Sequence, residues 1–436
     1  MPLGSLLRTQ TKLLLGSLRE GREVRQYIDR FGSDQDGCFA VIKVGGAVVE
    51  KDIAALGQRL ALLQLLGLKP VLVYGSGPQL DKKLSAAGFE AERHNGLRIT
   101  PAEAMPIIAQ GAADIGIALS EAIRKFGGHA VPTPPGTLST EPIDTNVYGS
   151  VGKVTGVDAA SLNALVGTGV IPLIGCAHMA SNGQFLNINA DEVARSVALA
   201  LEPQKIIFLT GTGGLLDAEG QLISSVNLAT DWPALEKAPW LEGGMRVKIE
   251  EIARLLEKLP LHSSVSITNV KQLLRELFTH GGAGTLLRMG ERIVIERETD
   301  EAAMTELLQR AFARSLEPHF WDNLGPHIVI RTERMRAAAI LREQGDFAIL
   351  DKFAVLPDAR GEGLAKAVWA KIREQSETVI WRSRADNPFN AFYHQVADGW
   401  RRSDYWHLFW SGQNSEAAFH ACQELAEQPA DFGEML

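Results

Sequence analysis

Three times in the first half of this chain a short apolar run ends in a glycine-bearing loop: Lys43-Val44-Gly45-Gly46, Gly75-Ser76-Gly77-Pro78 and Gly211-Thr212-Gly213-Gly214. An apolar run without polar alternation is buried on both faces, and in a soluble chain that points to a strand inside a parallel sheet. From residue 38 the pattern reads as strand Phe39 to Val44, a helix ending near Leu66 and Gly67, strand Val71 to Tyr74, and a helix from Pro78 to Gly88. Further buried strands are expected at Val170 to Ile174 and Ile206 to Leu209. The fold class is therefore α/β, a mainly parallel sheet between helices, with function expected at the strand ends.

The composition shifts after the glycine cluster Gly281, Gly282 and Gly284. Beyond it the chain reads as strand Ile293 to Glu296, a helix from Asp300 to Ser315, and strands at Ile328 to Arg331, Ala337 to Arg342 and Phe347 to Val355. A helix from Gly363 to Gln375 and a strand from Thr378 to Trp381 follow. This gives an N-terminal helical segment at 1–36, a first domain at 37–287 and a second α/β domain at 288–436.

Several classes are disfavoured. With 44 Lys plus Arg against 52 Asp plus Glu the formal net charge is -8, so no nucleic-acid partner is expected. Cys38, Cys176 and Cys422 show no CxxC spacing, which leaves no local metal site and suits a reducing cytoplasm. The uncharged stretch Ala159 to Ala190 is broken by Gly167, Gly169, Pro172, Gly175 and Gly183 into a short helix, a strand and a loop, so no membrane span is expected there. Leu6, Leu13, Leu14, Leu18, Val24 and Ile28 form the stripe of an amphipathic helix, fit to bury against its own core or a partner subunit.

Glycine loops after strands offer backbone N-H groups to phosphate at helix N-termini. Lys43 ends its strand, Lys248 follows Gly243-Gly244-Met245 at a helix start, and Asn187-Ile188-Asn189-Ala190-Asp191 adds amides and a carboxylate able to orient both lysines. The residues alone also allow a snorkelling Lys43 and a surface Lys248. Together with Asn95-Gly96-Leu97-Arg98-Ile99-Thr100 and Leu209 to Asp217, these segments resemble the amino-acid kinase family, specifically the N-acetylglutamate kinases, over residues 37 to 285. The resemblance implies MgATP as co-substrate, Lys43 and Lys248 on the transferring phosphoryl group, Asp191 organising the lysines, and Arg98 with Asn187 holding N-acetyl-L-glutamate. It implies backbone contacts from Gly45, Gly46, Gly75 and Ser76. Kinase-only relatives usually have a histidine and three glycines at Tyr74-Gly75-Ser76-Gly77, so the Ser76 side chain is expected close to the phosphoryl path.

In the second domain Lys352-Phe353-Ala354-Val355 precedes Arg360-Gly361-Glu362-Gly363-Leu364-Ala365 and then a helix. Arg-Gly-x-Gly also occurs in surface turns, but here it resembles the pyrophosphate loop of GNAT-superfamily acetyltransferases. Arg382 and Arg384, two apart on a strand, share one face, with Lys352 expected on a neighbouring strand. Three such cations suit a dicarboxylate or mark a solvated sheet face. Trp381 to Arg384, Asn387-Pro388-Phe389-Asn390 and Phe392-Tyr393 resemble the vertebrate-like N-acetylglutamate synthases. That resemblance implies acetyl-CoA held by Phe353, Val355, Arg360, Gly361, Gly363 and Ala365, L-glutamate held by Lys352, Arg382, Arg384 and Asn387, and Tyr393 protonating the departing thiolate.

The reading is a cytoplasmic bifunctional enzyme that acetylates glutamate and phosphorylates N-acetylglutamate in arginine biosynthesis; the alternative is a synthase whose kinase fold has become an arginine-sensing module. The segment Leu6 to Phe31 resembles the extra helix of arginine-regulated kinases, which implies L-arginine as effector at Tyr27, Lys205, Glu276 and Gly284, and a homotetramer.

Overall fold

The computed structural model describes residues 37–435 except 91, 95, 262, 279–282, 345–346, 361–362, 404, 413–414 and 429–430. The N-terminal segment with Tyr27, and Gly361 of the second loop, lie outside the described residues. The chain divides into two units, Met1–Met289 and Gly290–Leu436.

In the first unit an eight-stranded sheet runs Ser225–Asn227, Thr285–Arg288, Ser264–Thr268, Lys205–Leu209, Ala40–Val44, Pro70–Tyr74, Ile171–Ile174, Ala130–Pro132. From Ser264–Thr268 to Ala130–Pro132 every pairing is parallel. Both faces are covered. Ile42, Leu72, Leu173 and Ile207 join one cluster with Leu56, Leu60 and Leu63 of the helix Gly46–Leu65. Val41, Val71, Val73 and Ile174 join a second with Val193, Ala194 and Val197 of the helix Ala190–Leu201. This double burial is why the strands read as unbroken apolar runs.

The stretch after Gly175, expected as a loop, forms the strands Ala177–Met179 and Phe185–Ile188. They build a four-stranded sheet with Leu138–Pro142 and Val151–Val157. Among the described residues one helical stretch, Ala102–Arg124, is long and apolar enough by length and composition to cross a membrane. Its Met105, Ile108, Ala112, Ile115, Leu119 and Ile123 are buried in the unit's own clusters, the spacing of a helix that lays one face on a core.

The second unit is a seven-stranded sheet in the order Ile293–Glu296, His327–Thr332, Ala337–Gln344, Phe347–Val355, Val379–Arg384, Trp406–Ser411, Gly399–Arg402. Two irregularities shape it. Ile340 pairs with Lys352 and Leu341 with Leu350, so Asp351 is an extra, bulged residue. Phe347–Val355 and Val379–Arg384 are parallel and pair at Ala348↔Val379 and Ile349↔Ile380, after which no further register is formed among the described residues although both strands continue. The sheet therefore opens at its middle, beside Lys352 and Phe353 on one strand and Arg382 and Arg384 on the other.

Candidate active sites

In the first unit the site lies at the carboxyl ends of the parallel strands. Lys43, next to last on its strand, is ion-paired with Asp191 at 2.8 Å. Asp191 stands in the first turn of the helix Ala190–Leu201, whose cap, Asn189, accepts the Asp191 N-H at 3.0 Å. Lys248, on the helix Gly243–Leu256, has its Nζ 5.9 Å from the centre of the Phe208 ring. Burial pushes the Lys248 ammonium below the ordinary lysine range; Asp191 opposes that shift and Lys43 adds to it. Glu251, one turn beyond Lys248, is raised by burial and by the Asp191 charge. Neither lysine is a solvated surface charge, and both answer to one carboxylate.

The two glycine loops meet beside them. Gly75 N-H donates to the Val44 carbonyl at 2.9 Å. Gln79 Nε2 donates to the Gly46 carbonyl at 2.7 Å, and a Cβ at Gly46 would stand 2.7 Å from Gln79 Oε1 and 3.0 Å from Gly77 N, so a side chain there would displace Gln79 and crowd the second loop. The helices Gly46–Leu65 and Gly77–Ala86 thus bring their N-termini, and their partial positive charge, to one place. Gly45, just before the first helix, faces open space.

Arg98 is buried, ion-paired with Asp81, and donates to the Gly77 carbonyl at 3.3 Å. Asn187 Nδ2 donates to Thr100 Oγ1 at 3.1 Å, and that hydroxyl donates to the Arg98 carbonyl at 3.1 Å. The expectation for Ser76 needs correction. Its hydroxyl is 3.0 Å from Cys176 Sγ and the residue is 3% exposed, so the side chain is housed in the protein.

Of the residues expected to bind an effector, Glu276 and Gly284 come together: Glu276 Oε2 accepts the N-H groups of Ala283 at 2.7 Å and Gly284 at 2.9 Å. Lys205 stands elsewhere along the sheet by its backbone. It opens its strand opposite Ser264, while Gly284 abuts the Ile267 carbonyl three residues further on, roughly 10 Å along the strands.

In the second unit Lys352 and Arg382 face each other across the opened sheet and share a carboxylate that the sequence did not single out. Lys352 Nζ lies 2.7 Å from Asp431 Oδ2 and Arg382 Nη2 lies 4.0 Å from it. Lys352 is also paired with Asp351, the bulged residue, which holds Arg342 at 2.7 Å. Burial would raise the Asp351 carboxyl, but Lys352 and Arg342 more than offset this and hold it below the usual range. Arg382 stacks on Trp406 at 4.2 Å. Arg384 stands two residues on, on the same strand face. Asn387 is turned to its own loop, its Nδ2 donating to Ser383 Oγ at 2.9 Å and its Oδ1 accepting Phe389 N-H at 2.9 Å.

Phe353 packs against Phe389, Phe392 and Tyr393 with ring centres 5.5, 5.9 and 6.3 Å apart. Tyr393 is buried, and burial pushes its phenol well above the ordinary range, so it stays protonated through physiological pH. Arg360 clamps the loop from both sides, donating to the Ala311 carbonyl at 2.9 Å and the Val355 carbonyl at 3.5 Å. Gly363, at φ +80°, heads the helix Leu364–Gln375, with Ala365 in its first turn.

Two family models match the chain: the amino acid kinase family over residues 39–269 and the N-acetyltransferase of N-acetylglutamate synthase over 290–428. The chain is 43% identical to an acetylglutamate kinase of Xanthomonas campestris pv. campestris, over 95% of this chain and 100% of that one. It is 30% identical to the human mitochondrial N-acetylglutamate synthase, over 89% of this chain and 72% of that one. In fold it is similar to the N-acetylglutamate synthase of Neisseria gonorrhoeae solved with coenzyme A and N-acetyl-glutamate, with a TM-score of 0.63, 20% identity, and 89% of this chain and 97% of that one covered.

Proposed function

The chain belongs to the amino acid kinase family, with the acetyltransferase domain of N-acetylglutamate synthases fused behind it, and from that premise we propose the residues and ligands of two reactions in arginine biosynthesis. It is a bifunctional enzyme that uses ATP in the first domain and acetyl-CoA in the second.

In the kinase domain the side-chain carboxylate of N-acetyl-L-glutamate attacks the γ-phosphorus of ATP and ADP leaves. A carboxylate is ionised at pH 7 and needs no general base. The demand falls instead on cations beside the transferring group. The observation that carries this reading is the Lys43–Asp191–Lys248 cluster next to two converging helix N-termini. Lys43 and Lys248 flank the phosphoryl path, and Gly45, Gly46, Gly75 and Ser76 offer backbone N-H groups. Arg98 and Asn187 hold the acetylated amino acid. With its hydroxyl bonded to Cys176, Ser76 does not crowd that path, which favours an active kinase over the sensing-module alternative.

In the acetyltransferase domain the pyrophosphate of acetyl-CoA sits on the turn of Arg360, Gly361, Gly363 and Ala365, and its arm follows Phe353 and Val355 where the strands part. Lys352, Arg382, Arg384 and Asn387 bind L-glutamate, and Tyr393, which burial keeps protonated before the reaction, gives its proton to the departing thiolate. The deciding experiment assays purified protein twice, with L-glutamate plus acetyl-CoA and with N-acetyl-L-glutamate plus ATP. Thiol release and acetylglutamate-dependent ADP formation are both expected; loss of either removes that half of the reading.

L-arginine is the proposed effector, acting in the cytoplasm on a homotetramer through Tyr27, Lys205, Glu276 and Gly284. Removing residues 1–31 is expected to lower the assembly mass in sedimentation and abolish the arginine response. A truncated protein that keeps both refutes this regulatory part.

A further inference from the structure

In the acetyltransferase unit two of the cations given to glutamate already carry a carboxylate. Asp431 bridges Lys352, at 2.7 Å, and Arg382, at 4.0 Å. The segment that presents it is anchored: the Asp431 carbonyl accepts Glu317 N-H at 3.1 Å, Phe432 pairs with Leu316, and the Phe432 ring lies 4.7 Å from Phe312. On the other side Arg382 Nη1 donates to the Gln428 carbonyl.

The two carboxylates of this network differ in kind. Asp351 is buried between Lys352 and Arg342 and serves as their fixed counter-ion. Asp431 sits at the rim: its side chain is 37% exposed, against 5% for Lys352 and 9% for Arg382. Cations withdrawn this far from water need an anion. A carboxylate that reaches water at the rim is the one that a ligand can replace.

We propose that Asp431 is a surrogate for a substrate carboxylate: it neutralises Lys352 and Arg382 before the acceptor arrives and is displaced when a carboxylate of the acceptor amino acid binds. The inference rests on the assignment of Lys352 and Arg382 to that acceptor. Exchange of one carboxylate for another leaves the charge on the two cations unchanged, so entry does not require desolvating a new ion pair from nothing. The surrogate also weakens apparent affinity, because acceptor binds only to the fraction of molecules in which the cations are open. An acceptor without a carboxylate at this position leaves Asp431 in place, so the contact selects as well as protects.

The test compares the full-length parent with Asp431→Asn, measuring acetylation of L-glutamate at saturating acetyl-CoA and thermal melting without ligand. Asparagine keeps the shape and removes the charge. The expected result is a KM for glutamate lowered roughly three- to tenfold, together with a lower melting temperature because buried cations lose a counter-ion. A merely structural aspartate would lower the melting temperature and raise KM. An unchanged or raised KM in a cooperatively melting Asn variant overturns the proposal. If that variant does not fold, Asp431→Ser decides it by the same readout: removing the carboxylate lowers the glutamate KM, and an unchanged or raised KM overturns the idea. Arg382→Ala is run in parallel. If it leaves the glutamate KM untouched, the assignment of the site fails; if it raises KM while the Asp431 variants do not respond as stated, only the surrogate fails.

Discussion

At the scale of single residues the kinase site is governed by one conflict. In the role proposed for it, Lys248 must carry a proton to stabilise a transferring phosphoryl group, yet burial and the neighbouring Lys43 both push that proton off, while Asp191, with a smaller contribution from Glu251, holds it on. A lysine whose pKa is lowered loses its charge as pH rises, and does so before an ordinary lysine at about 10.4. Phosphorylation should therefore decline on the alkaline side earlier than an unperturbed lysine would allow. Lys248→Arg replaces the ammonium with a guanidinium that does not titrate in this range, and it should move the descending limb of the kcat/KM profile to higher pH, even if the rate at neutrality falls. An identical alkaline limb in the two proteins would assign the ionisation to another group. Ser76 shows the same lesson in miniature, because a side chain read as an intrusion into the phosphoryl path is instead bonded to a sulfur inside the protein.

At the scale of elements, the two loop-to-helix junctions do different things with glycine. Gly46 is favoured by crowding against Gln79 and Gly77, whereas Gly363 is demanded by conformation, standing at φ +80° ahead of the helix Leu364–Gln375. A side chain there must adopt the left-handed region, which costs roughly 1–2 kcal/mol. Gly363→Ala should accordingly lower the melting temperature by several degrees and, if the turn has the cofactor role proposed for it, raise the KM for acetyl-CoA more than that for glutamate; a variant with equal effects on both would deny the turn that role. The long apolar strands were legible in the sequence because they are buried on both faces. The small sheet was not: Val151–Val157 carries Gly152, Lys153 and Gly156, and Ala177–Met179 and Phe185–Ile188 are too short for a period to emerge. The cations proposed to hold the acceptor were legible, since Arg382 and Arg384 alternate as a strand requires. Its anions were hidden, because a bulge places Asp351 beside Lys352 against the alternation and Asp431 lies 79 residues from Lys352 in sequence. Asp81 and Glu251 escaped for the same reason, each being defined by a partner that only the fold supplies.

At the scale of the whole molecule the question is whether two activities need one another to fold. The eight-stranded sheet takes all its strands from before Met289, and the seven-stranded sheet takes all of its strands from after Gly290. The cores divide in the same way, with Ile42, Leu72 and Ile207 in one set and Ile340, Phe353 and Trp381 in another. A unit that closes its own sheet and buries its own clusters meets the physical conditions for folding alone. Cutting the chain between Met289 and Gly290 should then yield an N-terminal fragment that phosphorylates N-acetyl-L-glutamate and a C-terminal fragment that acetylates L-glutamate, each with a single cooperative melting transition. The C-terminal fragment, the smaller of the two, buries a smaller share of its chain and should melt lower. A fragment that melts without cooperativity, or regains its activity only when the other is added, would show that part of its stability comes from the partner unit rather than from the core described within it.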